Sequence, residues 1–221
     1  MTDPTPSGHP LPRRDPDTGA PRFLWVLVGV MAVIELALGL SEAGYIGSTN
    51  WRWPAFLIGA FWQPLFSGDM APLYPGQTLL MLVSHAFLHG GFMHLALNSV
   101  VLLALGKFVA YRIGARRALM VLFLSAVGGG LAFGLISSSN APMIGASGAV
   151  FGLIGVWQSW DYQMRQASGQ SVQPVVLAIL GLVVANILIF GILGGGLAWE
   201  AHLGGWLVGF SLARYLTGRA A

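Results

Sequence analysis

The sequence predicts an all-α membrane protein, a bundle of six transmembrane helices in one domain, and three observations carry that prediction. The 221 residues are 55% hydrophobic and only 9% charged, with a mean hydropathy of +0.71, whereas a soluble domain carries about 25% charged residues. Six apolar segments fall at roughly 22–41, 91–109, 116–136, 145–162, 172–192 and 198–216, each near the ~20 residues a spanning helix needs. The basic residues are also unevenly distributed. Arg13, Arg14, Arg22, Lys107, Arg112, Arg116, Arg117, Arg165, Arg214 and Arg219 fall on one side of such a bundle, leaving Arg52 alone on the other. The positive-inside rule then puts both termini in the cytoplasm, which agrees with an even number of spans.

In chain order, residues 1–21 form a polar arm rich in Pro, Asp and Thr, expected to be disordered and cytoplasmic. Its Arg13-Arg14 pair has no short apolar core behind it, and Asp3, Asp15 and Asp17 are foreign to a transit peptide. No cleaved targeting segment is expected. Residues 22–221 form the membrane domain, and its first connection, 42–90, is long and unusually apolar. Trp51-Arg52-Trp53 and Phe61-Trp62 suit an element lying at the bilayer interface, where aromatic rings settle. Gln77 to Phe87 is consistent with a shorter helix leading into the second span. Glu35 in the first helix and Asn186 in the fifth are costly in lipid and should face protein or water, with structural hydrogen bonding the preferred role.

Composition excludes several classes. The absence of cysteine rules out disulfides, thiolate zinc sites and a cysteine nucleophile. The net charge of +3 sits in helix flanks and gives no reason to expect nucleic acid. No internal repeat suggests the inverted halves of a transporter.

The chemistry centres on Gly145-Ala146-Ser147-Gly148, which ends a polar connection and opens the fourth helix. Small neighbours let a carbonyl approach a serine there, and free backbone N–H groups can receive an oxyanion. A serine hydroxyl needs a base, and His202 in Ala201-His202-Leu203-Gly204-Gly205 of the last helix is the candidate. Gly148 and Gly152 are four apart, as are Gly205 and Gly209. Such stripes let helix backbones approach closely, and if they face each other Ser147 and His202 come within reach. Ordinary helix packing is the competing account of the same glycines. Phe151, one turn after Ser147, is placed to stack on the imidazole. Glu200, two residues before His202, points away on a helix, so a dyad is expected, served by a cavity that admits water.

His94 and Asn98 are four apart and share a helix face. They suit either stabilisation of a developing negative charge or hydrogen bonding between helices. His85 and His89 have the same spacing, which suits zinc on a helix, but no acidic residue accompanies them. Structural histidines at the helix entrance are the better reading, and no metal or other cofactor is expected.

These motifs, in this order across about 85–221, resemble the rhomboid intramembrane serine proteases. The resemblance implies a rhomboid-like bundle in which Ser147 attacks the scissile carbonyl and His202 serves as base and then acid. It implies that His94 and Asn98 join the Ser147 backbone N–H in an oxyanion hole. His89 matches a histidine that braces the first connection, while Gly145, Gly148 and Phe151 support the site. The substrates implied are single-span transmembrane proteins cut in or near the bilayer, and the location implied is a bacterial inner membrane. Two positions depart from the family pattern. A Trp-Arg pair common before the position of His89 is replaced by Leu80-Met81, and the tyrosine that usually stacks on the histidine is Phe151. The alternative is a catalytically inactive rhomboid-like factor that binds and escorts membrane proteins. A transporter is disfavoured because no paired charges lie at mid-membrane depth. The sequence sets no oligomeric state.

Overall fold

The computed structural model describes residues 19–47 and 51–216, so most of the expected arm at 1–21 lies outside the described residues. The helices are α1 (Arg22–Glu42), α2 (Arg52–Gly59), α3 (Gln63–Ser67), α4 (Gln77–Ser84), α5 (Phe92–Ile113), α6 (Ala115–Ile136), α7 (Ser147–Ala167), α8 (Gln173–Ile192) and α9 (Trp199–Leu216). A single 3-10 turn, His85–Phe87, follows α4. The six long helices α1 and α5–α9 occupy the six apolar segments of the sequence. Four of them, α1, α5, α6 and α8, are long and apolar enough to cross a membrane by composition alone. The other two, α7 and α9, carry more polar residues: Gln158, Ser159 and Asp161 beside the candidate Ser147 in one, Glu200 beside the candidate His202 in the other.

Local chemistry sets the boundaries. α5 and α6 are separated by one residue, Gly114, whose φ of 84° ends the first helix and starts the second. α7 runs five residues past the expected 162, and in that last stretch Asp161 and Arg165, one turn apart, form an ion pair at 3.0 Å that favours the helix. Pro174 stands in the first turn of α8, where its missing N–H costs nothing.

α7 is the central helix. It packs most extensively against α9 and also against α6 and α5, while α1 lies on α5. A larger apolar core joins α1, α5, α6 and α7 through Leu24, Leu102, Val109, Val121, Leu153 and Val156. A second core sits under the first connection, with Phe61, Leu65, Met81, Phe133 and Met143. α8 stands apart: Val175 is its one buried residue, and the rest of its side chains are exposed or half-buried, as lipid-facing apolar residues would be.

The first connection is built more tightly than its sequence suggests. Arg52, at the start of α2, donates to Glu35 of α1 at 2.8 and 3.0 Å, to Glu42 at 2.6 and 2.8 Å, and to the His89 carbonyl at 2.7 Å. Hydrogen bonds to Glu42 and then Glu35 push the guanidinium still further toward its protonated form. The partner of the costly Glu35 is therefore Arg52 of the first connection. Arg52→Ala leaves the Glu35 carboxylate, 6% exposed, without its cation. It is expected to destabilise the fold by about 3 kcal/mol, read as detergent-phase unfolding, with partial recovery in the Arg52→Ala/Glu35→Gln double variant.

Candidate active site

Ser147 is the first residue of α7, after an Ala146 N-cap. Its backbone N–H therefore belongs to the first turn, where amides lack intrahelical partners and attract negative charge. The loop that delivers it is held on two sides. Met143 exchanges main-chain hydrogen bonds with Phe61 at 2.8 and 3.0 Å, and Gly145 N–H donates to the His85 carbonyl at 2.9 Å.

The two glycine stripes face each other. A Cβ added at Gly205 would overlap the Gly148 carbonyl oxygen, and one added at Gly209 would overlap that of Gly152. A Cβ at Gly148 would lie 3.4 Å from the Ala201 carbonyl oxygen. The residue after Ser147 thus abuts the residue before His202. One turn along α7, the Phe151 ring stacks on the His202 imidazole with centroids 3.9 Å apart and planes 10° from parallel. Ser147 and His202 share one end of this seam, with Ser147 half-buried and His202 buried.

His94 and Asn98 approach from α5. A Cβ on Gly145 would come 2.8 Å from the His94 ring atoms Cε1 and Nε2, and 3.9 Å from Asn98 Nδ2. Gly145 also has a φ of +111°, so both the backbone and the close ring require glycine there. The Gly90 N–H donates to His94 Nδ1 at 3.4 Å, which leaves Nε2 as the protonated nitrogen, on the Gly145 side. Asn98 Nδ2 donates to the His94 carbonyl at 2.9 Å and has a second hydrogen to offer. Two side-chain donors and a helix N-terminus therefore converge around Gly145–Ser147.

The entrance histidines differ from the helical pair that their spacing suggests. His85 lies in the 3-10 turn, and Leu88 after it is extended, so His85 and His89 do not share a helix face. Burial, and secondarily the neighbouring His94, pushes the His89 imidazole down to about 4, which keeps it neutral. Its ring nitrogens have no hydrogen-bond partner among the described residues. What links His89 to the first connection is its carbonyl, which accepts from Arg52.

Two contacts were not legible beforehand. Arg52 lies far in sequence from Leu80-Met81, the place where the family pattern has its Trp-Arg pair. Asn186 is expected from its sequence to face protein or water, with no partner named, and its Oδ1 lies 2.7 Å from His202 Nδ1. Both residues carried one available signal, a polar or charged group in an apolar stretch.

The fold and these convergent polar groups define a helical integral membrane protein with a serine and a histidine gathered at one end of a close helix seam. The rhomboid domain model matches residues 76–219. The chain belongs to the rhomboid family. It is 30% identical over 203 residues to rhomboid-like protease 3 of Toxoplasma gondii, covering 87% of this chain and 68% of that protein. It is 30% identical over 167 residues to the rhomboid protease GlpG of Yersinia pestis, covering 71% and 58%. It is 33% identical over 149 residues to RHOMBOID-like protein 4 of Arabidopsis thaliana, covering 65% of this chain and 36% of that protein. The chain thus spans between about a third and two thirds of the length of these relatives.

Proposed function

We propose that this chain is a serine endopeptidase of the membrane interior, acting through a Ser147–His202 dyad on single-span transmembrane proteins. The observation that carries the reading is the α7–α9 seam, where Gly148 rests on Ala201 and Phe151 stacks on the His202 ring. The Ser147 Oγ attacks the scissile carbonyl carbon as His202 Nε2 takes the hydroxyl proton. The resulting oxyanion is received by the Ser147 N–H, His94 Nε2–H and Asn98 Nδ2–H, donors that need no rearrangement when charge develops. His202 then gives its proton to the leaving amine, and water, activated by the same imidazole, hydrolyses the acyl ester.

A cleft of about 590 Å³ between α8 and the α7/α9 pair reaches His202 and is walled mainly by apolar side chains such as Ile179, Leu182 and Trp206. It suits an apolar peptide segment. Residues 22–221 are the catalytic membrane domain on this reading. The distribution of basic residues supports cytoplasmic termini, and a bacterial inner membrane is the location that goes with this reading.

The test is labelling of detergent-solubilised protein with a serine-reactive fluorophosphonate probe. Wild type is expected to label and Ser147→Ala is not. Well-folded wild type that fails to label would overturn the peptidase reading in favour of an inactive escort of membrane proteins.

A further inference from the structure

We infer that Asn186 of α8 is a positioning residue for the proposed base, holding the His202 ring in the tautomer whose Nε2 is unprotonated; this rests on the dyad reading above. Asn186 Nδ2 donates to the Leu182 carbonyl at 2.9 Å. A carbonyl oxygen only accepts, so that bond fixes which end of the amide is nitrogen. Asn186 Oδ1 is left to face His202 Nδ1 at 2.7 Å. An amide oxygen has no proton to give, so Nδ1 carries the hydrogen and donates it. In a neutral imidazole the lone pair then belongs to Nε2.

Two surfaces now constrain one ring. Phe151 sets its plane by stacking, and Asn186 sets its rotation and its tautomer within that plane. The same bond strengthens when His202 takes the serine proton, because an imidazolium donor makes a charge-assisted hydrogen bond. A carboxylate performs this service in a catalytic triad. Here a neutral amide does so, which suits a site beside an apolar cleft, where an unpaired carboxylate would be costly to bury. Asn186 does not touch the reacting atoms and acts only through His202. Because it rides on α8, the long helix least packed against the bundle, the setting of the base depends on where α8 lies.

Asn186→Leu removes the acceptor while keeping the volume, and Asn186→Asp restores an acceptor oxygen. In proteoliposomes with a transmembrane reporter, Asn186→Leu is expected to lower kcat about 10–100-fold with KM changed less than about twofold. Asn186→Asp is expected to recover most of that loss. Independently of turnover, the ¹⁵N signature of the His202 ring, identified by its loss in His202→Ala, is expected to show protonated Nδ1 and bare Nε2 in wild type. In Asn186→Leu it is expected to shift toward protonated Nε2. An unchanged ring signature together with wild-type kcat in folded Asn186→Leu would overturn the inference. If Asn186→Leu does not fold, failure of Asn186→Asp to keep the wild-type ring signature overturns it instead. Cleavage that survives Ser147→Ala would sink the dyad reading, and the ring signature would still decide what Asn186 does to His202.

Discussion

His202→Ala is expected to lower cleavage of a transmembrane substrate by on the order of 10⁴–10⁶-fold, the loss seen when a serine hydrolase is deprived of its base. Without an acceptor for its proton the Ser147 hydroxyl is a poor nucleophile, and the oxyanion donors alone supply only a residual acceleration. The fold should survive. α9 is held to α7 by main-chain contact at Gly205 and Gly209, so removing the imidazole takes away the Phe151 stack and the Asn186 hydrogen bond but leaves the seam closed. The measurement is cleavage of a reporter in proteoliposomes beside an unfolding curve for the same variant. The double variant Ser147→Ala/His202→Ala should be no slower than either single one, because the two groups act as a unit. Activity within about tenfold of wild type in folded His202→Ala would remove the histidine from the chemistry.

The sequence showed the parts of this site that follow from local rules. Hydropathy located the apolar segments that the six long helices occupy, and for the four that are long and apolar enough to cross a membrane the reason is that a single segment in lipid satisfies its own backbone only as a helix. The Gly148/Gly152 and Gly205/Gly209 spacings foretold a close contact because a bare backbone face has one main use in a membrane. The i, i+4 relation likewise put Phe151 one turn above Ser147, where it stacks on His202. What stayed hidden were partnerships across long separations. Arg52 meets Glu35 across 17 residues and the His89 carbonyl across 37, and no periodicity encodes such a meeting. Asn186 and His202 are 16 apart on different helices. The entrance histidines show the same limit of spacing rules: four-residue spacing means a shared face only inside an α-helix, and the chain there turns through a 3-10 segment into extended backbone.

Two alanine substitutions at glycines should give opposite results, and the contrast tests whether the seam or helix propensity governs this fold. In an exposed helix interior, Gly→Ala is favourable by about 1 kcal/mol. Gly181 in α8 has nothing within 4 Å of an added Cβ, so Gly181→Ala should be neutral or slightly stabilising. At Gly205 the new methyl would overlap the Gly148 carbonyl oxygen. No rotamer relieves a clash made by Cβ against backbone, so the helices must separate, at a cost of about 3 kcal/mol or more. That exceeds the propensity gain, and Gly205→Ala should be destabilised by about 2 kcal/mol net. Activity should fall further than stability does. Moving Gly148 away from α9 also moves Ser147 from the His202 ring, and about 1 Å of misplacement between reacting groups costs roughly 10²-fold. The check is unfolding and reporter cleavage for both variants under one condition. If Gly205→Ala keeps wild-type stability and turnover, the α7–α9 backbone contact is not what brings the serine to the histidine.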